Sequence, residues 1–241
     1  MDNYDLRYGD DRYAAAAAPV SARTAFIRRT YAHLAAAVFA LVAIEAGLFA
    51  SGLAEPAVRK LFSVPYAGLL LMVAFIGGGY AAQMMARSRT APAVQYLGLA
   101  VYVLLEAVIL LPLLYLAEKQ FPGQMLPAKA AVVTLMTFAG LTAAVFISGK
   151  DFSFLGPVLW VAALGALGVI VASIIFGFTL GIVFAYVMVV LAAGFIVYDT
   201  SNVMHHYRTD EHVSAALELF ASVALMFWYV LRIFMYSGNN D

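Results

Sequence analysis

A carboxylate closes a long apolar stretch of this sequence. Residues 178–197 carry no charged side chain, and Asp199 follows them after a single tyrosine. An aspartate at that depth costs free energy unless it is paired or used, so we interpret Asp199 as an ion- or proton-handling group. The alternative is that Asp199 ends its helix in contact with interfacial water. His205 and His206 follow closely, and their imidazoles can titrate near neutral pH.

Two glutamates interrupt other apolar segments. Glu106 precedes Pro112 by six residues. Because proline cannot donate to the carbonyl of Val108, that carbonyl and Glu106 form a candidate cation-coordinating pair. The alternative is a glutamate hydrogen-bonded to a neighbouring helix. Glu45 lies in an alanine-rich segment, where it either lines the same cavity or pairs with a basic group.

The last apolar segment has one polar face. A spacing of three to four residues places Glu218, Ser222, Leu225, Tyr229 and Arg232 on the same side of a helix. Glu218 is therefore a candidate pore carboxylate, with an interfacial position near the helix start as the alternative. For Arg232 we favour an interfacial anchor over an internal counter-ion.

The sequence lacks the catalytic and cofactor-binding motifs that we compared with it. Residues 147–150 read ISGK and do not supply the serine loop of an intramembrane protease, and the last helix has no aspartate to complete a carboxylate dyad with Asp199. A phosphate-binding G-x-x-x-x-G-K-[ST] motif is also missing from the sequence. Adjacent histidines on a helix point in different directions, so His205 and His206 do not predict a shared metal. We expect no enzyme, no cofactor and no metal site.

Composition defines the elements that position these residues. Of the 241 residues, 64% are hydrophobic and 12% are charged, against about 25% charged in soluble domains. The sequence predicts an all-α membrane protein, a bundle of seven transmembrane helices. The expected spans are 31–51, 66–86, 94–116, 130–148, 154–175, 178–198 and 213–234. We divide the chain into a flexible tail (1–22), a transmembrane domain (23–236) and a short C-terminal tail (237–241).

The connections and small residues constrain the packing. Only Phe176 and Gly177 separate the fifth and sixth predicted spans, so these two helices should be antiparallel neighbours. Glycines and alanines allow close helix contact, and we assign packing faces to Gly77–Gly79, to Gly165 and Gly168 with Ala162, Ala163 and Ala166, and to Ala192–Gly194.

Charge predicts the surroundings of the protein. The formal net charge is +0 and the basic residues are not clustered, which argues against nucleic acid as a partner. With the N-terminus in the cytoplasm, nine lysines and arginines fall in cytoplasmic segments and four on the other side, which favours this orientation. We therefore expect a multi-pass protein of the cell membrane whose constant partner is the lipid bilayer.

The stretch GFIVYDTSNVMHHY, followed by ALELFASVALMFWYVLRIF, resembles the Bax inhibitor motif family of membrane proteins. The matching residues are Tyr198, Asp199, Thr200, Ala216, Leu217, Leu219, Phe220, Leu231 and Arg232, and Leu105-Glu106-Ala107 is similar to the family's Leu-Glu-Gly. The resemblance covers residues 23–236. It implies a seven-helix fold with the last helix central and, in members whose function is known, a pH-sensitive calcium leak.

The same resemblance assigns roles to individual residues. In those members two aspartates on the sixth and seventh helices share a proton and latch the pore, with an arginine nearby. Asp199 matches the first aspartate, and the second falls at Ser222. The arginine corresponds to Arg87 or Arg89, and we favour Arg87. With serine at the second position, Glu218 one turn earlier is a candidate for part of that role.

Two functional hypotheses follow. The leading one is a slow, proton-modulated leak for calcium or another cation, in which Asp199 responds to protons and Glu106 and Glu218 line the path. The competing one is a regulator without transport, which binds another membrane protein such as a protease or a stress or cell-death component.

Overall fold

The computed structural model describes residues 14–88 and 91–238 and places them in a helical bundle. The eight helices of this part of the chain are α1 (Val20–Ala50), α2 (Ala54–Phe62), α3 (Ala67–Ala86), α4 (Pro92–Gln120), α5 (Leu126–Ser148), α6 (Leu155–Phe176), α7 (Ile182–His205) and α8 (His212–Gly238). All except α2 are long and apolar enough to cross a membrane. The predicted all-α, seven-span membrane bundle is therefore confirmed.

The last helix lies at the centre of the bundle. α8 packs against α1, α3, α4, α5 and α7. In its most apolar 18-residue window 72% of the residues are buried, against 6% in α6. A helix surrounded on all sides can present polar groups to its neighbours without exposing them to lipid, so α8 is the natural scaffold for a buried site. The central position expected for the last helix is confirmed.

The spanning helices alternate in direction, which gives the bundle two distinct ends. We call the end where α1 begins the N-terminal end; it also holds the end of α3, the end of α7 and the start of α8. The opposite end holds the end of α1, the short helix α2 and the end of α4. There Glu55 of α2 accepts hydrogen bonds or ion-pair contacts from Arg59 at 2.6 Å and Lys119 at 3.3 Å.

The start of α1 differs from the predicted boundary. The helix begins at Val20, directly after Pro19, and runs without interruption into the first predicted span, 31–51. A short 3₁₀ turn, Ala15–Ala17, precedes it, and the buried Ala15 donates its backbone N–H to the carbonyl of Tyr207 at 2.8 Å. Within the predicted tail, the turn Ala15–Ala17 is thus anchored to the bundle by Ala15, and residues 20–22 already belong to α1, although most of this stretch is exposed. Residues 1–13 of that tail lie outside the described residues.

Two further boundaries differ in the same way. α6 ends at Phe176, but α7 starts only at Ile182, so the connection runs from residue 177 to residue 181. Gly177 has a φ of +71°, a left-handed conformation that stops the helix and that glycine adopts without strain. The two helices still pack against each other as predicted. At the C-terminus, Ser237 and Gly238 belong to α8, and residues 239–241 lie outside the described part of the chain.

Small residues bring α3 and α4 together at Gly98. A Cβ there would lie 2.5 Å from the carbonyl oxygen of Ala82 and 2.7 Å from the backbone nitrogen of Ala86. Gly78, within the predicted 77–79 face, packs in the same interface against Leu105. A Cβ at Gly165 or Gly168 would have no atom of the described residues within 4 Å, so these two glycines make no close helix contact. Ala163 and Ala166, which were assigned to the same face, do pack against the α6–α7 core. The close α3–α4 contact fixes the end of α3, where Arg87 lies.

Candidate functional site

The central contact of the site joins α7 and α8. Asp199 lies in the last two turns of α7, and Ser222 lies in the third turn of α8. Both residues are buried, with Asp199 5% exposed. The Ser222 hydroxyl donates a hydrogen bond to Oδ2 of Asp199 at 2.5 Å. A hydroxyl that donates to a carboxylate makes a short, strong hydrogen bond, so Asp199 has a direct partner although the second aspartate is replaced.

Glu218 adds a second carboxylate one turn before Ser222. Its negative charge acts on Asp199 across the α7–α8 interface. The guanidinium of Arg87, at the C-cap of α3, donates a hydrogen bond to the Glu218 carboxylate and forms an ion pair with it. The Arg87 side chain is 60% exposed and that of Glu218 is 17% exposed, so this pair marks the edge of the site at the N-terminal end. The hydrogen bond to Glu218 raises the pKa of Arg87, which therefore stays charged.

Tyr207 closes the site at the same end. It lies in the loop between α7 and α8, and its backbone carbonyl receives the N–H of Ala15. Burial, followed by the negative charge of Glu218, raises the pKa of the Tyr207 phenol well above its ordinary value. The phenol is thus a neutral group beside the carboxylates. This residue was not singled out from the sequence, because it lies in a loop whose course depends on how the helices pack.

Tyr102 links this cluster to Glu106. Glu106 is buried at the midpoint of the 29-residue helix α4, and Tyr102 precedes it by one turn on the same face. The charges of both Glu106 and Asp199 act on Tyr102. The ring of Tyr102 also packs edge-on against Phe220 of α8, with the centroids 6.1 Å apart. Tyr102 was not singled out from the sequence, although its spacing of four residues from Glu106 indicates that the two share one face of a helix.

The predicted pair of Glu106 and the Val108 carbonyl stays a prediction. α4 continues through Pro112, and the Val108 side chain is 53% exposed, whereas Glu106 is buried. The two side chains lie roughly 200° apart around the helix. Glu106 therefore belongs to the interior face with Tyr102.

The remaining candidates lie outside the cluster. Arg232 is at the opposite end, where it donates to the Tyr236 hydroxyl at 3.4 Å, as an interfacial anchor would. His205 contacts the Ser201 carbonyl at 3.0 Å within its own helix. His206 reaches Asp151 in the α5–α6 loop, with Nε2 2.9 Å from Oδ2. Asp151 was not singled out from the sequence. Arg89, the alternative to Arg87, lies outside the described residues.

The described residues contain no cluster of metal ligands, and Glu45 lies apart from the Asp199 site. Within residues 14–88 and 91–238, no three side chains of His, Cys, Asp or Glu are grouped as metal ligands would be. Glu45 lies near the opposite end, away from the Asp199 cluster, and lines a separate cavity. Of the predicted site residues, the structure thus brings together Asp199, Ser222, Glu218 and Arg87. Glu106 lies on the interior face of α4 with Tyr102, whose ring packs against Phe220 of α8.

These features define a class: a multi-pass helical membrane protein with a buried acidic site on its central last helix. The family model described as inhibitor of apoptosis-promoting Bax1 matches residues 23–240. The chain belongs to this Bax inhibitor family, as the Tyr-Asp-Thr motif and the last helix predicted.

Individual relatives come from animals, plants and bacteria. Protein lifeguard 4 of Mus musculus is 28% identical over 233 residues, which cover 95% of this chain and 90% of that protein. A BI1-like protein of Arabidopsis thaliana is 34% identical over 119 residues, 46% of this chain and 45% of the plant protein. An uncharacterized membrane protein of Vibrio cholerae is 29% identical over 120 residues, 49% and 53% of the respective chains. The matched segment thus spans about half of the plant and bacterial relatives and nearly all of the mouse protein.

Proposed function

We propose that this protein is a slow, proton-modulated leak for calcium or another cation. The observation that carries the proposal is the buried contact between Asp199 and Ser222, with the Glu218 carboxylate one turn away. Carboxylate and hydroxyl oxygens are ligands that hard cations prefer. A buried acid on the central helix of a membrane bundle is also where ion and proton pathways are usually found.

The arrangement of acidic residues along the bundle supports a path. Glu106 lies at the midpoint of α4, and Asp199 and Glu218 lie toward the N-terminal end. A cation that enters from the N-terminal end would meet the carboxylates of Glu218 and Asp199 before that of Glu106. In this proposal the Arg87–Glu218 pair closes the path at the N-terminal end, because a fixed positive charge there repels a cation.

Protons modulate such a leak through Asp199. When Asp199 is ionised, it attracts a cation and accepts the Ser222 hydrogen bond; when it is protonated, the attraction is lost and its interaction with Glu218 changes. With Ser222 in the place of the second aspartate, one carboxylate rather than a pair sharing a proton carries the response. We therefore expect a single titration in the pH dependence of the flux.

The test is calcium uptake into vesicles that contain the purified protein, measured between about pH 5 and 8. Asp199→Asn keeps an oxygen that can accept from Ser222 but removes the charge, so it should flatten the pH dependence. Ser222→Asp builds a second carboxylate, and repulsion between like charges should move the transition to higher pH. Glu55→Gln, an exposed change at the opposite end, is the matched control. Identical flux from wild type and Asp199→Asn at every pH would contradict the role of Asp199.

A regulator without transport is the second candidate, and the family description as an inhibitor of apoptosis-promoting Bax1 favours it. In this reading the protein binds another membrane protein, and residues 1–13 are the natural contact, since the turn after them is anchored to the bundle by the buried Ala15. Deletion of residues 1–13 should then abolish capture of the partner. Loss of capture with intact calcium flux would support two separate roles, whereas no flux from any variant would favour the regulator alone.

We further infer that the protein resides in the cell membrane with its N-terminus in the cytoplasm, as the distribution of basic residues predicts. The sequence has no cysteine, so single introduced cysteines report topology without background. Cysteine at Ser88 should be protected from a membrane-impermeant maleimide in intact cells, and cysteine at Gly123 should react. The reverse pattern would contradict the proposed orientation.

A further inference from the structure

A cavity of about 430 Å³ lies between α1, α4, α5 and α8, toward the opposite end of the bundle. This volume is within the range of about 300–1,000 Å³ that is typical of small-molecule sites. Tyr31 of α1 packs against Phe138 and Phe146 of α5 in the half of the bundle nearer the N-terminal end. The cavity lies beyond this contact and is also lined by α4 and α8. Val42 and Leu135, 58% and 48% exposed, stand at the opening between α1 and α5. A ligand could therefore enter sideways from the lipid.

Glu45 is the polar feature of this cavity. The residue is 7% exposed, and neither of its carboxylate oxygens has a hydrogen-bond partner within the described residues. Thr134, also on the lining and buried, has an unpartnered hydroxyl. Burying a carboxyl group without a partner costs free energy, and a buried group without one in a folded protein calls for an explanation such as a ligand.

The cavity is distinct from the Asp199 site. It uses the face of α8 that carries Phe220, Val223, Ala224 and Phe227. Ser222 lies roughly 100–160° around the helix from these residues and faces α7 instead. The two sites therefore occupy different sides of the same central helix, and the binding inference stands whether or not the protein conducts ions.

The charges around the cavity select the kind of ligand. The described lining residues include two carboxylates, Glu45 inside and the exposed Glu118 at the rim, and no lysine, arginine or histidine. A protonated amine offers up to three N–H donors and a charge opposite to that of Glu45. The remaining lining is almost entirely aliphatic and aromatic, which suits a compact hydrocarbon body.

We propose that this cavity is a binding site for a lipophilic amine. The ammonium group binds the two free oxygens of Glu45, with the Thr134 hydroxyl beside it. The hydrocarbon body fills the space between Leu110 of α4 and Phe227 of α8. An amphiphile of this kind partitions into the bilayer and reaches the site through the opening at Val42 and Leu135.

The experiment is equilibrium dialysis of the full chain in lipid nanodiscs, with protein-free nanodiscs as the partition baseline. Three probes share one hydrocarbon cage and differ only in the polar group: 1-adamantylamine, 1-adamantanol and 1-adamantanecarboxylate. We expect saturable binding of the amine, at least tenfold weaker binding of the alcohol, and no binding of the carboxylate above the baseline. An alcohol that binds as tightly as the amine would overturn the proposal and indicate a neutral hydroxyl ligand instead.

Variants locate the site. Glu45→Gln should weaken binding of the amine at least tenfold, and Ala131→Phe should abolish it by filling the cavity. Glu55→Gln removes a carboxylate at the same end but outside the cavity and should leave binding unchanged. Because Ala131→Phe retains Glu45, it tests the site even if Glu45→Gln fails to fold. Undiminished binding of the amine to either cavity variant would refute the assignment.

Discussion

At the N-terminal end of the bundle Asp199 is 5% exposed and accepts a hydrogen bond from Ser222, whereas near the opposite end Glu45 is 7% exposed and accepts none from the residues that the structure describes. Both acids are carried by spanning helices and both are surrounded by apolar residues. They differ in what the neighbouring helices present to them. α8 offers Asp199 a hydroxyl, while α4, α5 and α8 offer Glu45 mainly hydrocarbon.

The difference separates two uses of a buried acid. A carboxylate with a fixed partner is held in one geometry, which suits a group that responds to ions and protons in place. A buried carboxylate without a partner destabilises the fold. Its presence is explained if a ligand binds it. The comparison therefore predicts opposite signs for changes in the two regions: partner removal should destabilise the first, and removal of the acid itself should stabilise the second.

The largest loss of stability is expected at the α3–α4 contact, which positions Arg87 beside Glu218. Gly98→Leu would place side-chain atoms against the backbone of Ala82 and Ala86 and force α3 away from α4. We expect a loss of about 3 kcal/mol or more in unfolding free energy, at or beyond the upper end for overpacked sites, together with loss of the Arg87–Glu218 pair. Denaturant unfolding in mixed micelles measures the loss. Gly165→Leu, which meets nothing within 4 Å, is the control, and an equal loss there would contradict this account.

The second effect tests the hydrogen bond of Asp199 itself. Ser222→Ala leaves the buried carboxylate without its donor, and hydrogen bonds to charged groups are worth about 1.5–3 kcal/mol. The loss should be largest where Asp199 is ionised and should shrink as the pH falls, because a protonated carboxyl needs the donor less. Unfolding followed at several pH values measures both features.

Ser173→Ala is the matched control for that change. It removes a hydroxyl whose 2.7 Å hydrogen bond goes to the Ile170 carbonyl within its own helix. The control should cost much less, since this helical carbonyl has its backbone bond as well. A loss at Ser222→Ala no greater than at Ser173→Ala would show that the Asp199 contact is not a stabilising one.

Much of the first region was predictable from the sequence. The Tyr-Asp-Thr motif pointed to Asp199, and helical spacing placed Glu218 and Ser222 on one face of the last helix, which the structure brings against Asp199 and Arg87. Tyr102 was accessible by the same rule, being one turn from Glu106. Tyr207 and Asp151 were not, because they lie in loops whose course depends on packing between helices that are distant in sequence.

The second region could not have been predicted in the same way. The sequence showed Glu45 in an apolar helix but not which residues of α4, α5 and α8 face it, and these decide whether it has a partner. The start of α1 was missed for a related reason. The first span was predicted to begin at residue 31, but the helix already runs through Arg23, Arg28 and Arg29 and buries Phe26 and Thr30 on its other side.

The third prediction concerns Glu45, where a substitution should raise the unfolding free energy instead of lowering it. Glu45→Met replaces the unpartnered acid with an apolar side chain of similar length, so the protein without added amine should gain about 1–2 kcal/mol in unfolding free energy. The same unfolding assay measures the gain. Glu118→Met at the exposed rim should change stability little. A loss of stability in Glu45→Met would mean that Glu45 has a stabilising partner in the membrane-embedded protein, and the contrast with Asp199 would then fail.

The smallest change in stability is expected at Asp151, which lies on the exposed surface and joins the α5–α6 loop to the end of α7. The backbone N–H of Ser153, at 2.8 Å, is the largest cause that lowers the pKa of Asp151 to about 2, with His206 contributing less. Asp151 should therefore stabilise the fold above the ordinary aspartate value of 3.8, and this stabilisation should be lost as the pH falls toward 2. Because the side chain is 44% exposed, we expect less than about 1 kcal/mol.

Thermal unfolding of Asp151→Asn and wild type from neutral pH down to about pH 2 measures this effect, with the difference largest above pH 4 and vanishing at the acid limit. His206→Gln removes the ion pair but leaves the Ser153 hydrogen bond, so it should cost less than Asp151→Asn. If His206→Gln costs as much, the imidazole rather than the backbone N–H holds the loop. The α5–α6 loop would then be attached to α7 mainly by the contact between Asp151 and His206.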